Sequence, residues 1–184
     1  MLSFLRYWDQ DLLVWLNNLG NKPYDAFWIF VTQIESWTPL FLYFIGIVLY
    51  YHKGKKGAIL LLGGIVTFLV TLAITDLTKT YVARIRPNNL AALSSLLRVL
   101  KTPTSYSFFS GHASSSFCIV VFLVLCIRKF NLWVYLAFLW PVFFAASRIY
   151  VGVHYPSDII VGALVGSILA VLGYGVSTYL AKKV

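Results

Sequence analysis

The sequence predicts an all-α protein, a polytopic membrane helix bundle of five or six spans with an interfacial helix at its N-terminus. Of its 184 residues, 60% are hydrophobic and only 11% are charged, and the mean hydropathy is +0.81. Soluble domains carry about 25% charged residues, so most of this surface must face lipid. Lipid offers no partner to an unpaired backbone NH or C=O, so the spans must be helices.

Five stretches come near the roughly 20 apolar residues that cross a bilayer. They are residues 25 to 51, 57 to 77, 112 to 127, 131 to 149 and 157 to 181. The first stretch is interrupted by Glu35 and Ser36, and Pro39 predicts a kink there. It is either one long bent span or a half-buried helix followed by a short span.

A further helix is predicted over residues 1 to 20. Apolar side chains recur there near helical spacing, at Leu5, Trp8, Leu12, Leu13 and Leu16, while Asp9 and Asp11 lie elsewhere on the helical wheel. This pattern favours an amphipathic helix that lies in the membrane interface, and a sixth span is the alternative.

The net charge of +9 points to lipids rather than to nucleic acid, because no continuous basic stripe and no soluble domain exist to present it. Three short breaks between spans are basic, at Lys53, Lys55 and Lys56, at Arg128 and Lys129, and at Lys182 and Lys183. All three fall on one side when the spans alternate, and the positive-inside rule makes that side cytoplasmic. The opposite side holds eight Lys or Arg against these seven, so several of the eight need another function.

Polar residues cluster where three spans reach that opposite side. Lys79 and Arg86 are seven residues apart, so they would share one face of a helix continued to the residue before Pro87. Taken alone, they could be snorkelling cations at a helix end. Arg84 has no assigned function, and a lipid headgroup is its only suggested contact.

The second cluster is Ser110-Gly111-His112, at the start of the predicted span over residues 112 to 127. Ser110 is a natural helix N-cap, and Gly111 allows the backbone NH groups to come close to an anion. By itself, the cluster could be an ordinary helix start with a chance histidine.

The third cluster joins the last two spans and contains Arg148, His154 and Asp158. An Asp one helical turn after a His can accept a hydrogen bond from one ring nitrogen, which raises the basicity of the other. Gathered on one side, the three clusters supply three cations for a phosphate and two histidines for a double displacement.

These residues make the chain resemble the type 2 phosphatidic acid phosphatase family of membrane lipid phosphatases. The first of the family's three signatures is a Lys followed, after six residues, by Arg-Pro. The second is Pro-Ser-Gly-His. The third is Ser-Arg followed, after five residues, by His and, after three more, by Asp. The chain matches the first at Lys79, Arg86 and Pro87 and the third at Ser147, Arg148, His154 and Asp158. It departs only in the second, where Phe109 precedes Ser110-Gly111-His112. The resemblance covers residues 57 to 181.

The resemblance implies the following site. His154 is the nucleophile that forms a phosphohistidine, Asp158 orients it, and His112 is the general acid. The phosphoryl oxygens are held by Lys79, Arg86, Ser110, Gly111 and Arg148. No metal and no other cofactor is expected, and His52 is expected to be a solvated loop residue.

The expected protein is a single membrane-embedded domain over residues 1–184, with its catalytic core at 57–181. We expect it in the bacterial inner (plasma) membrane, with the site on the extracytoplasmic face. Undecaprenyl diphosphate is the favoured substrate, and phosphatidylglycerophosphate or a lipid A phosphate remains open. A lipid phosphotransferase and a non-catalytic transporter or scaffold are the alternatives. The oligomeric state is open, and Gly162 and Gly166 fit an intramolecular contact or a dimer.

Overall fold

The computed structural model describes residues 2–183, with side chains from residue 7 onward, and every regular element among them is helical. The α-helices are α1 (Leu2–Asn18), α2 (Asp25–Thr32), α3 (Thr38–Tyr51), α4 (Gly54–Val82), α5 (Ala91–Ser94), α6 (Gly111–Ile127), α7 (Leu139–Tyr150) and α8 (Pro156–Ala181). Short 3-10 segments cover Lys22–Tyr24, Glu35–Trp37, Pro87–Asn89 and Leu132–Phe138.

Three helical stretches of the described chain are long and apolar enough to cross a membrane: Gly54–Ser94, Leu132–Tyr150 and Pro156–Ala181. Lys22–Thr32 and Glu35–Tyr51 pass the same test only as a pair bent by 73°, and Gly111–Ile127 is apolar but shorter. Length and composition therefore give three spans, or four with the bent pair, and the expected number of five or six is not confirmed.

The bend lies before Pro39 rather than at it. Helix α2 ends at Thr32, and α3 starts at Thr38 with Pro39 in its first turn. A helix tolerates proline there because the first NH groups have no partner within the helix. The expected proline kink is therefore a break, and its residues line a cavity described below.

Helices α4, α6 and α8 form the centre of the bundle, and small residues let them approach closely. A Cβ at Gly162 would lie 2.7 Å from the carbonyl oxygen of Ser110, and one at Gly166 would lie 2.0 Å from that of Ser114. From the first contact to the second, the position moves four residues toward the C-terminus on both sequences, so α6 and α8 are parallel. The predicted close approach at Gly162 and Gly166 is thus made within one chain.

Helix α4 runs antiparallel to α8. A Cβ at Gly63 would meet Ser177, whereas one at Gly173 would meet Thr67. The end of α4 and the starts of α6 and α8 therefore share one end of the bundle, where the three polar clusters lie. The start of α4 and the ends of α6 and α8, with the three basic breaks, share the other.

His52 lies at the basic end and is not a solvated loop residue. Its side chain is buried, its Nε2 atom lies 2.9 Å from the carbonyl oxygen of Cys126, and its ring packs edge-on against Phe130. A carbonyl oxygen only accepts, so Nε2 carries the proton. The expectation was wrong because the short turn between α3 and α4 folds back onto the end of α6.

Helix α1 buries only part of the apolar face that its sequence suggests, together with two polar residues. The buried side chains are Asp9, Leu13 and Asn17, which are spaced by one turn, whereas Trp8 is 49% exposed. Asn17 donates hydrogen bonds to the carbonyl oxygens of Ile149 and Tyr150 at the end of α7. Two polar residues thus fix α1 across the end of the bundle that carries the polar clusters.

Candidate active site

The first cluster does not lie on one helix face, contrary to expectation. Helix α4 ends at Val82, and Ala83 adopts a left-handed conformation with a φ of 49° while its NH bonds to the carbonyl of Lys79. Arg86 is extended, with a ψ of 151°, as a residue before proline prefers to be. The chain therefore leaves the helix after Lys79 and turns Arg86 into the bundle, where it is 3% exposed.

The Arg86 guanidinium is held on several sides. Its Nε donates to the carbonyl oxygen of Ser105 at 2.6 Å, and its Nη2 donates to the Ser105 hydroxyl at 3.0 Å. Its Nη1 donates to the carbonyl of Val153 at 2.9 Å and lies 3.1 Å from Nε2 of His154. The fork geometry of arginine suits this arrangement, and a lysine could not reproduce it.

His154 and Asp158 form the pair that their spacing predicts. Nδ1 of His154 lies 3.3 Å from Oδ2 of Asp158, and both side chains are almost fully buried. Asp158 sits in the first turn of α8, where its Oδ2 also accepts the backbone NH of Tyr155 at 3.1 Å. Because the carboxylate only accepts, the proton of neutral His154 is on Nδ1 and the lone pair is on Nε2.

Burial lowers the pKa of His154 to about 3. The hydrogen bond to Asp158 opposes that shift, and the positive charge of Arg86 adds to it. The imidazole is consequently neutral at physiological pH, with its Nε2 lone pair directed toward the guanidinium of Arg86. A neutral imidazole nitrogen is the form required of a nucleophile.

Thr32, the last residue of α2, connects the second and third clusters. Its carbonyl oxygen lies 3.2 Å from Nε2 of His112, and its hydroxyl accepts a hydrogen bond from Nη1 of Arg148. The carbonyl fixes the proton on Nε2 of His112, so Nδ1 is the nitrogen left to exchange a proton. The His112 ring also stacks on Phe144, with a centroid separation of 4.5 Å.

A cavity of about 550 Å³ opens at these residues. Its walls come from the break after α2, the segment before α6, and helices α6 and α7; they are Thr32, Gln33, Ile34, Glu35, Lys101, Thr102, Pro103, His112, Ser115, Phe144 and Arg148. The Nε of Arg148 is buried and has no hydrogen-bond partner among the described residues. The cavity therefore brings an unused guanidinium donor next to a histidine.

Ser110 and Gly111 occupy the start of α6 as predicted. The Ser110 hydroxyl accepts the NH of Ala113 at 3.4 Å, which makes it the N-cap, and its side chain is fully buried. A Cβ at Gly111 would lie 3.7 Å from Nζ of Lys79. The ammonium of Lys79 is thus next to the face of Gly111 where another residue would carry its side chain.

The structure places the predicted residues in two adjoining groups. His112 and Arg148 line the cavity, whereas Arg86, His154 and Asp158 are buried and are not among its lining residues. His112 nevertheless lies within Coulombic range of Arg148, His154 and Lys79. Lys79 in turn interacts electrostatically with Arg86, Arg148 and Asp158. The three clusters therefore share one electrostatic environment.

Several residues of this region carry no recognisable signal in the sequence. Arg84 is not directed at a headgroup, since it pairs with Asp158 at 2.6 Å and with Asp9 at 2.7 Å. The hydroxyl of Ser107 donates a hydrogen bond to Asp158. These contacts join positions 51 to 75 residues apart, beyond any local pattern. Only the spacing of Asp9, Leu13 and Asn17 on α1 could have suggested a buried stripe.

Comparison with known proteins identifies the family. Residues 58–182 match the model of the PAP2 superfamily. The chain is 27% identical to a lipid A 4'-phosphatase of Bacteroides thetaiotaomicron, over 100% of this chain and 83% of that protein. It is 31% identical to an undecaprenyl-diphosphatase of Sulfolobus acidocaldarius, over 94% of this chain and 73% of that protein.

The fold is also that of a solved membrane protein. The crystal structure of a PAP2-type phosphatidylglycerolphosphate phosphatase from Bacillus subtilis superimposes with a TM-score of 0.74 at 22% identity, covering 95% of this chain and 87% of that one. The chain therefore belongs to the PAP2 superfamily, and it is a membrane-integral enzyme of the phosphatase class.

Proposed function

We propose that the protein hydrolyses a phosphomonoester or diphosphate of a membrane lipid through a phosphohistidine at His154. One observation carries the proposal. Nδ1 of His154 is hydrogen-bonded to Asp158, and Nε2 is in contact with the guanidinium of Arg86. The imidazole is therefore held neutral, with its lone pair next to a cation. That is the arrangement a nitrogen nucleophile needs to attack the phosphorus of an anionic substrate.

In the first step, the Nε2 lone pair of His154 attacks phosphorus, and the bond between phosphorus and the leaving oxygen breaks. Protonated His112 gives a proton to that oxygen, from Nδ1, because Thr32 holds Nε2. The imidazole of His154 then carries phosphate on Nε2 and a proton on Nδ1, and its positive charge faces Asp158. The carboxylate thus stabilises charge that develops only during the reaction.

In the second step, water attacks the phosphorus and the bond between phosphorus and Nε2 breaks. His112, neutral after the first step, takes a proton from the water. Inorganic phosphate leaves, His154 returns to its neutral form, and His112 is again protonated. His112 thereby acts first as acid and then as base, His154 acts as nucleophile and leaving group, and the enzyme consumes no net proton.

The phosphoryl oxygens are held by Lys79, Arg86 and Arg148, with the Gly111 NH and Ser110 at the start of α6. The buried Nε of Arg148 supports this assignment, because it has no partner in the described part of the chain. Ser110 contributes mainly by capping α6, since its hydroxyl is bound to the NH of Ala113. Planar guanidinium groups and helix NH groups are well suited to phosphate.

For the substrate we favour undecaprenyl diphosphate over phosphatidylglycerophosphate and a lipid A phosphate. The similarity to an undecaprenyl-diphosphatase supports this choice, although a lipid A 4'-phosphatase is also similar. Lys101 in the cavity wall supplies one further cation near His112 and Arg148, which suits a second phosphate.

We further propose one domain over residues 1–184, with five spans formed by the bent pair α2–α3, α4, α6, the Leu132–Tyr150 stretch and α8. Lys53, Arg128 and Lys182 belong to the basic end of the bundle, which the positive-inside rule would make cytoplasmic. The site then faces the extracytoplasmic side of a bacterial inner membrane, with α1 in its interface.

The experiment is phosphate release by the purified protein from undecaprenyl diphosphate, phosphatidylglycerophosphate and lipid A, with and without a chelator. We expect fastest release from undecaprenyl diphosphate, no loss of activity with chelator, and no activity in His154→Asn. An additional acceptor lipid that collects the phosphoryl group in place of water would instead indicate a phosphotransferase. Full activity in His154→Asn would refute the proposed mechanism.

A further inference from the structure

A second carboxylate, Asp9, reaches the back of the candidate site from α1. It lies outside residues 58–182, the part of the chain that matches the family model, and its side chain is only 4% exposed. A buried Asp needs partners, because an unpaired buried charge is costly. The partners of Asp9 lead directly to the residues around His154.

The contacts form a continuous chain. Oδ2 of Asp9 lies 2.7 Å from Nη2 of Arg84, and Nη1 of the same guanidinium lies 2.6 Å from Oδ1 of Asp158. The other oxygen of Asp158 faces Nδ1 of His154 at 3.3 Å. Arg84 therefore bridges two carboxylates, one from α1 and one that orients the proposed nucleophile.

Asp9 also holds the start of α8. Its Oδ1 accepts the backbone NH of Ser157 at 2.9 Å, and its Oδ2 accepts the Ser157 hydroxyl. The Arg84 guanidinium packs over the ring of Tyr155, 3.8 Å from its centroid. These contacts fix Arg84 and Asp9 in position next to Asp158.

The charges explain why a second carboxylate is needed. Arg84 alone would cancel the negative charge of Asp158, and Asp158 would then do little to stabilise a positive imidazole on His154. With Asp9 included, the group of Asp9, Arg84 and Asp158 carries one net negative charge on the Nδ1 side of His154, while Arg86 lies on the Nε2 side. Opposite charges at such distances interact strongly away from bulk water.

We propose that Asp9 is a positioning residue: through Arg84, it keeps the negative charge of Asp158 available to His154 and so sets the rate of phosphoryl transfer to that histidine. The inference rests on the proposed function, because it takes His154 as the nucleophile. It assigns helix α1 a part in the reaction in addition to any contact with the membrane surface.

A purely structural role for Asp9 is the competing explanation, and charge-balanced variants separate the two. Asp9→Asn removes one negative charge and leaves the group of Asp9, Arg84 and Asp158 neutral. Asp9→Asn combined with Arg84→Gln restores one net negative charge, while both amides keep hydrogen-bonding groups. Asp11→Asn is the matched control, because Asp11 lies on the same helix and is exposed.

The test is the rate of phosphoenzyme formation, measured by rapid quench with β-32P-labelled farnesyl diphosphate in detergent micelles. For Asp9→Asn we expect a rate about tenfold lower with KM changed less than about twofold, since the charge acts on the chemical step. The double variant should recover to within about threefold of the wild-type rate, because its charge balance is restored. Asp11→Asn should match the wild type.

The inference is overturned if Asp9→Asn forms the phosphoenzyme at the wild-type rate, or if the double variant is as slow as Asp9→Asn or slower. The second result would indicate that Asp9 only anchors α1. Absence of any phosphoenzyme in the wild-type protein is a different outcome, since it would refute the proposed function itself.

Discussion

Nη1 of Arg86 lies 3.1 Å from Nε2 of His154, so a cation is already next to the lone pair proposed to attack phosphorus. The same Nη1 is held by the carbonyl of Val153, and the rest of the guanidinium by Ser105. The position of Arg86 is therefore fixed by contacts within the protein. A phosphoryl oxygen that takes over the hydrogen bond from Nη1 would free the Nε2 lone pair as the phosphorus arrives.

Arg86→Lys should lower kcat/KM for phosphate release by about 10²–10³-fold, which is typical for the loss of one preorganised donor to a developing oxyanion. Lysine keeps the charge but cannot make the forked contacts to Ser105, Val153 and His154. The measurement is steady-state phosphate release in detergent micelles. Arg128→Lys, at the opposite end of the bundle, is the control and should be unaffected. An Arg86→Lys variant within threefold of wild type would contradict this account.

Thr32→Val should reduce activity by about 10–100-fold, because hydrogen bonds to charged groups contribute about 1.5–3 kcal/mol. The substitution removes the hydroxyl that binds Arg148, while the backbone carbonyl that binds His112 stays. Thr32→Ser keeps the hydroxyl and should be close to wild type. Equal activities of the Val and Ser variants would show that the hydroxyl does not position Arg148.

Gly166→Ala should destabilise the fold by about 1–3 kcal/mol, the usual cost of overpacking. Its Cβ would lie 2.0 Å from the carbonyl oxygen of Ser114, and backbone cannot move aside as a side chain can. Gly175→Ala is the control on the same helix, since a Cβ there meets no atom within 4 Å. Thermal unfolding in detergent measures both variants, and equal unfolding temperatures would contradict the packing described for α6 and α8.

His154 should make the folded protein less stable in acid. Its pKa in the folded state is about 3, below the ordinary value of 6.5. Below pH 6.5 the unfolded chain therefore takes up a proton that the folded chain does not, and stability falls as the pH drops toward 3. Above pH 6.5 the contribution is complete.

His154→Asn, which cannot titrate, is the comparison for this pH dependence. Between pH 7.5 and 4.5, the unfolding temperature of the wild-type protein should fall further than that of the variant. Parallel curves would mean that His154 titrates normally in the folded protein. The rest of the sequence is identical in the two proteins, so the difference between the two curves reports on His154.

The sequence predicts the local contacts within the site better than its overall geometry. His154 and Asp158 are four residues apart, and the Ser110 cap lies next to His112, so local rules describe these pairs correctly. Lys79 and Arg86 follow no such rule, because α4 ends at Val82. A left-handed residue at a helix end is hard to foresee when it is Ala83 rather than glycine.

The remaining differences come from contacts between distant parts of the chain. Asp9 approaches Arg84 and Thr32 approaches His112 only after the helices have packed. Likewise, His52 is next to a lysine cluster in sequence, yet it is buried because α3 and α6 end side by side. A helical wheel treats each segment alone, so it cannot reveal which polar residue a neighbouring segment will cover.

The most direct test of the central claim is to identify the phosphorylated atom. Wild-type protein is mixed with β-32P-labelled farnesyl diphosphate, quenched in alkali, which preserves phosphohistidine, and digested for mass spectrometry. We expect an acid-labile phosphate on His154, lost in His154→Asn and accumulated in His112→Asn if the second step is slowed more than the first. Phosphate on another residue, or turnover with no phosphoenzyme and full activity in His154→Asn, would contradict the account.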